Sequence, residues 1–374
     1  MSQSKYFKNK IKLSNNLSTT TVTKVKSENT EVLDQSKTQS RTKRVRKLQH
    51  IKLETTDDGD NDSIIPDNFF PMYNKIKEMR KLITTPVDLI GCVKIPALLF
   101  LITKRFQNGI TDEISIDQIP KHLEELKLIE NNKSNIDKFW RFQLLVTLLF
   151  SSQTKDEINY QVMQNLHLNY LIKGYKNGLC IESILNTSYN ELDQMIFKIG
   201  FHSRKANYLI ETSKILHENF NDDIPNNIND LINLKGIGYK MGHLILQGAW
   251  NETVGISVDT HMVRLCNMFN WLPKNEKNPD NVRKLLEIML INHKDLWMEI
   301  NPVLVGFGQT VCTPIGRRCD ICWLSKIDEF NDVKCPAIDK KLLLRINRGV
   351  ENIENRKIRG DLQKLITYRQ SKSS

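Results

Sequence analysis

Leu234-Lys-Gly-Ile-Gly-Tyr-Lys240 sets two glycines one residue apart between two apolar helical stretches and ends on a lysine. This is a helix-hairpin-helix signature. Glycines at those positions allow a tight turn and leave the Gly236 and Gly238 amides at a helix N-terminus, where they can meet a phosphate; a lone Gly-x-Gly serves a ligand-free turn equally well. Nineteen residues beyond Lys240, the run Ile256-Ser-Val-Asp259-Thr-His261 closes on an acid at the start of the next helix, an ordinary N-cap position for Asp259. Cys312, Cys319, Cys322 and Cys335 crowd into 24 residues with six, two and twelve residues between them. Four thiolates can hold a [4Fe-4S] cluster or Zn²⁺. Zinc sites more often use paired Cys-x-x-Cys knuckles, and with only one present the spacing favours iron-sulfur. Such a group would order the loop Thr313 to Arg318 and present Arg317 and Arg318 to phosphate, unless those arginines are plain solvated loop residues.

The elements that must position these residues read as helices. Met72, Ile76, Met79 and Ile83 recur at spacings of three and four before Pro86, which is expected to stop the run. Residues 92–138 read as a loosely ordered insertion. Order returns at Trp140, where Phe142, Leu144, Leu145, Leu148 and Leu149 form a strongly apolar helix. Thr154 and Glu157 have capping-box spacing, which places Gln153 in the turn outside the next helix. Further helices are expected around 206–216, 228–234, 240–250, 260–270 and 280–291. Alternating strand patterning is missing, so the expected fold class is all-α.

The net charge of +11 suggests an anionic partner, but it is unevenly spread. Residues 1–50 carry a net +9 and residues 336–374 a net +6, leaving 51–335 at −4. Nucleic-acid binding by the middle of the chain therefore rests on local features. Residues 1–65 are rich in Ser, Thr, Asn and Lys and read as a disordered basic tail. Within it Arg41 to Lys47 has five basic residues in seven, a candidate nuclear import signal. The first 27 residues hold six lysines and no acid, as a mitochondrial targeting segment does, but lack arginine. Cys92, Cys180 and Cys266 lie apart among apolar neighbours and read as buried thiols. No apolar run approaches the roughly 20 residues of a membrane span.

Taken together, the Lys-Gly-Ile-Gly-Tyr-Lys hairpin, the Val-Asp-Thr-His segment, Ser151-Ser-Gln-Thr-Lys-Asp156 and the four cysteines resemble the endonuclease III family in its eukaryotic branch. The likeness runs from about Phe69 to Pro336. It implies a six-helix barrel (139–254) and an iron-sulfur cluster domain (66–91 with 255–340), with a DNA cleft between them and a basic C-terminal tail (341–374). It also implies a monomer that acts on damaged double-stranded DNA; the N-terminal signals point to the nucleus and leave open whether the mitochondrion is added. In that family a lysine attacks the anomeric carbon of a flipped-out oxidised pyrimidine nucleotide, and β-elimination then breaks the strand 3′ to the lesion. The resemblance puts Lys240 and Asp259 in the nucleophile and partner places. It makes Gln153 the residue filling the hole left by the flipped base, with Phe201 as second choice. An amine attacks only when neutral, and an ordinary lysine, with a pKa of roughly 10.4, is mostly ammonium at neutral pH. A helix start disfavours the ammonium while phosphates and Asp259 favour it, so the sequence leaves that balance open. The spacing before Cys335 is longer than the family's. Two readings compete with the bifunctional enzyme: a monofunctional mismatch glycosylase and a non-catalytic helix-hairpin-helix DNA-binding protein.

Overall fold

A computed structural model describes residues 65–273, 276–325, 333–350 and 361–371. The basic tail and its two candidate targeting signals lie outside the described residues. Among the described residues the fold is all-α, with a lone β-bridge between Thr84 and Asp361.

One apolar core gathers residues between Ile90 and Ala249. Its axis is helix α5 (Lys138–Ser151), buried from Phe142 through Phe150. A helix apolar on every side must be surrounded. Around it pack α3 (Ile95–Gln107), α6 (Asp156–Ile172), α9 (His202–Asn219) and α11 (Tyr239–Trp250). The short helices α7 (Ile181–Leu185) and α8 (Tyr189–Met195) add Ile181, Ile184 and Leu192 to the same core. Asp137 caps α5 by accepting from the Phe139 and Trp140 amides at 2.9 Å.

The segment expected to be a loose insertion is part of this core. In α3, Ala97, Leu98, Leu99, Leu101 and Ile102 are buried, and the helix packs on both α5 and α6. Its run of apolar residues, too short to cross a membrane and too continuous to show a period, marks a helix enclosed on several sides. Helix α4 (Leu123–Asn131) follows and buries Leu126 and Ile129.

A second apolar core combines α1 (Phe69–Lys81), α12 (Thr260–Met268), α13 (Pro279–Met289) and α14 (Leu296–Thr310) with the cysteine segment. Pro86 does not merely end α1, which stops at Lys81; it opens α2 (Pro86–Ile90) from the N1 position, where a missing N–H does no harm. The C-terminal segment is no loose tail where it is described. It forms α15 (Lys340–Asn347), capped by Asp339, and α16 (Gln363–Ser371). Asp361 pairs with Thr84, and Leu362, Leu365 and Ile366 are buried in this second core.

Candidate active site

The hairpin consists of α10 (Ile228–Asn233), the turn through Gly236 and the start of α11. Gly236 has a left-handed φ of +85°, and a Cβ there would stand 2.8 Å from the Leu149 and Tyr208 side chains, so both conformation and packing exclude other residues. Gly238 differs: its φ is −111° and a Cβ would meet nothing within 4 Å. The space over Gly238, the N-cap of α11, is open. Lys240 is exposed in the first turn of that helix.

The segment that carries Asp259 is tied down by hydrogen bonds from buried side chains. Ser257 Oγ donates to Lys240 O at 3.1 Å, and Asn301 Nδ2 donates to Ser257 O at 2.7 Å. His243 Nδ1 bonds Ile256 O at 3.3 Å, and burial lowers the pKa of this imidazole, so it serves as a neutral donor. Asp259 then caps α12, its Oδ1 accepting from Met262 N at 2.8 Å. One carboxylate oxygen is held by the cap while the residue stays half-buried.

Three residues without an assigned role in the sequence reading share this region. Asp156, at the start of α6, feels the charges of both Lys240 and Asp259, and burial raises its pKa. Gln309 of α14 donates to Asp156 Oδ2 at 2.8 Å while its Oε1 accepts from Val87 N at 3.2 Å. His261 lies in the first turn of α12 and also feels Asp259 and Lys240; burial lowers its pKa, and Arg264 approaches its Nδ1 at 3.3 Å. Cys92 completes the surround, with burial pushing its thiol up to about 11. Asp156 and His261 stand inside motifs that were legible; Gln309 carries no such signal.

Gln153 and Phe201 come from two turns that touch. Both have left-handed backbone, φ +54° and +59°. For a bulky residue that conformation costs on the order of 1 kcal/mol. Phe201 is nevertheless 59% exposed, its ring near the Arg204 guanidinium at 5.6 Å. Between them lies Gly200, whose N–H donates to Thr154 Oγ1 at 3.1 Å. A Cβ on Gly200 would stand 2.3 Å from Gln153 O. Thr154 therefore does not make the expected capping box: the N-cap of α6 is Lys155, and the threonine hydroxyl is used to join the two turns.

The four clustered cysteines line one cavity of about 20 Å³, together with Met268, Phe269, Phe307 and Leu324. Cys335 is among them despite its longer spacing, its N–H bonded to Leu324 O at 2.9 Å. Burial pushes all four thiols up, Cys335 to about 11. Among the described residues no three His, Cys, Asp or Glu side chains converge closely enough to hold a single metal ion. The expectation for the adjacent arginines needs correction. Arg318 is 1% exposed and its guanidinium bonds Asp320 at 2.9 to 3.1 Å, so it is an internal strut and does not face outward to phosphate. Arg317 lines the cysteine cavity and donates to Ala337 O at 2.7 Å, which turns it toward the Cys335 segment.

The signature described as HhH-GPD superfamily base excision DNA repair protein matches residues 146–290, which contain the hairpin, Lys240 and Asp259. The chain is 38% identical over 260 residues to Endonuclease III homolog of Schizosaccharomyces pombe, covering 70% of this chain and 61% of that protein. It is 36% identical over 288 residues to Endonuclease III homolog 2 of Saccharomyces cerevisiae, covering 76% and 67%. Endonuclease III-like protein 1 of Gallus gallus is 33% identical over 257 residues, with 69% and 75% covered. The chain thus spans about six-tenths of the length of the fission-yeast relative. Likeness at that level, spread over three quarters of the avian relative, places the chain in the endonuclease III family.

Proposed function

We propose that this protein is a base excision repair DNA glycosylase that also cleaves the abasic site it creates, with oxidised pyrimidines in duplex DNA as substrates. The reading is supported by Lys240 at the open start of α11 and Asp259 at the α12 cap, on a segment that Ser257 Oγ ties to Lys240 O at 3.1 Å. Lys240 Nζ bonds to C1′ of the flipped nucleotide as the C1′–N bond breaks, and the base leaves with a proton. Nζ then gives up a proton and its lone pair forms a double bond to C1′ as the C1′–O4′ bond breaks, O4′ taking a proton to become the 4′-hydroxyl, which leaves a protonated imine. Removal of a 2′ proton then breaks the C3′–O bond, and water releases the enzyme. Asp259, which keeps one oxygen on the α12 cap, offers the other to the developing positive charge of the sugar.

The open space over Gly238 and the amides of the α11 N-terminus suit a DNA phosphate. Gln153 and Phe201, both strained and both exposed, suit the hole left by the extruded nucleotide, whose unstacking costs a few kcal/mol. The four thiols line one cavity, and four cysteines about a shared space fit a [4Fe-4S] cluster. Bound by Cys312, Cys319, Cys322 and Cys335, such a cluster would supply structural cross-linking of the cysteine segment. A monomer acting in the nucleus, and in the mitochondrion if the N-terminal lysines direct it there, completes the reading.

Borohydride trapping on a duplex containing thymine glycol tests it. A covalent protein–DNA adduct that disappears in Lys240→Ala is the expected result. Base release without an adduct would make the protein a monofunctional glycosylase, and neither release nor adduct would leave a DNA-binding protein.

A further inference from the structure

Helix α9 carries a lysine that is out of water. Lys205 is 4% exposed and has no carboxylate partner among the described residues. Its Nζ donates to Phe150 O at 2.8 Å and Ser152 O at 2.5 Å, the carbonyls at the end of α5 and its C-cap. Helix-terminal carbonyls lack partners within the helix and sit at the negative end of its dipole, so a cation suits them. Water or a glycine cap would satisfy the same groups without burying an ammonium. Burial lowers the Lys205 pKa to about 8.

The reason for it lies one residue further on. Ser152 O, which Lys205 grips, is the last carbonyl before the left-handed Gln153. The same oxygen accepts from Thr154 Oγ1 at 3.2 Å, and Thr154 Oγ1 in turn accepts from Gly200 N. At its own backbone Lys205 donates to Phe201 O at 3.0 Å, the first bond of α9. One residue therefore holds the carbonyl before Gln153 with its side chain and the carbonyl of Phe201 with its amide.

We propose that Lys205 is a positioning residue that locks the Gln153 turn to the Phe201 turn, so that the two side chains enter the DNA stack as one rigid unit. This rests on the reading that this edge meets a duplex from which a nucleotide is extruded.

The test separates opening of the stack from chemistry. Base release from a thymine glycol duplex is measured under single-turnover conditions, with 2-aminopurine beside the lesion to report unstacking. Trapping on a single-stranded abasic oligonucleotide, where no stack is opened, is measured in parallel. For Lys205→Met we expect about 10-fold slower release and a smaller fluorescence rise on the duplex, with single-strand trapping within about two-fold of wild type. Lys205→Arg, which keeps both donors, restores most of the duplex rate. In a Gln153→Ala background, Lys205→Met should cost less than about two-fold more, because both changes act through one turn. Equal losses on duplex and single strand, or full multiplicative losses in the Gln153→Ala background, overturn the proposal. If Lys205→Met does not fold, Lys205→Gln is read in the same way, and failure of every variant to fold would assign Lys205 to stability and overturn the positioning role. Absence of trapping by the wild-type chain on either substrate would overturn the functional reading itself.

Discussion

Asp259 Oδ1 accepts a hydrogen bond of 2.8 Å from the Met262 backbone, so the carboxylate proposed as the partner of Lys240 is also the cap of its own helix. The two roles can be separated by substitution. Asparagine caps a helix about as well as aspartate, whereas alanine forfeits roughly 1 kcal/mol. Asp259→Asn is expected to melt close to wild type yet lose about 100-fold or more in strand cleavage at an abasic site. Asp259→Ala should lose both. Thermal melting beside a cleavage assay checks this, and full activity in Asp259→Asn would remove the carboxylate from the chemistry.

Phe201 holds a left-handed backbone at the N-cap of α9 with its ring in solvent. Glycine adopts that conformation without strain, so Phe201→Gly should raise, or at least not lower, the melting temperature while slowing base release from duplex DNA. If release is unchanged, the ring has no part in opening the stack.

His167 is buried and neutral. Its Nδ1 accepts from Leu179 N at 3.1 Å, and its Nε2 bonds Thr103 Oγ1 at 2.8 Å. Burial drives its pKa down to about 3 from an ordinary 6.5. Below 6.5 the unfolded chain binds a proton that the folded chain refuses, so stability is intact above that pH and falls as pH drops toward 3. The slope is roughly 1.4 kcal/mol per unit, or about 2 kcal/mol between neutrality and pH 5. Denaturant unfolding at both pH values should show a smaller difference in His167→Gln. An unchanged difference would put the acid sensitivity elsewhere.

For the cysteine cavity, the purified protein should be brown, with an absorbance near ~400 nm from thiolate-bound iron-sulfur. Cys335→Ser should lower the iron content per chain, measured by atomic absorption, and weaken the fold around the cavity. Zinc in place of iron, or undiminished iron in Cys335→Ser, would refute this ligand set.

Much of this was legible in the sequence because the relevant signals are local. The helices carrying Lys240 and Asp259 begin within one residue of where glycine and cap chemistry put them. Gln153 falls in its turn although the capping box that pointed to it does not form. What failed depended on distant partners. The continuous apolar run of α3 offered no period, because a helix enclosed by α5 and α6 has no solvent face to mark. Arg318 is the nearer case: Asp320 stands only two residues on, but nothing in the sequence reveals that the pair is buried. Thr154 had capping spacing, but Gly200, 46 residues away, claims its hydroxyl. Gln309 was missed since a glutamine in an apolar helix says nothing until Asp156 and Val87 are seen against it.

The two cores also differ in when they can exist. The one around α5 is drawn from a single continuous stretch, Ile90 to Ala249. The other needs Phe69 at one end and Ile366 at the other. A ribosome emits chain from the N-terminus, and domains fold as their residues emerge. The hairpin and its lysine can thus be standing on a finished scaffold while the cysteine segment still waits for the last few residues of the described chain, and metal would be loaded onto an assembly already half built.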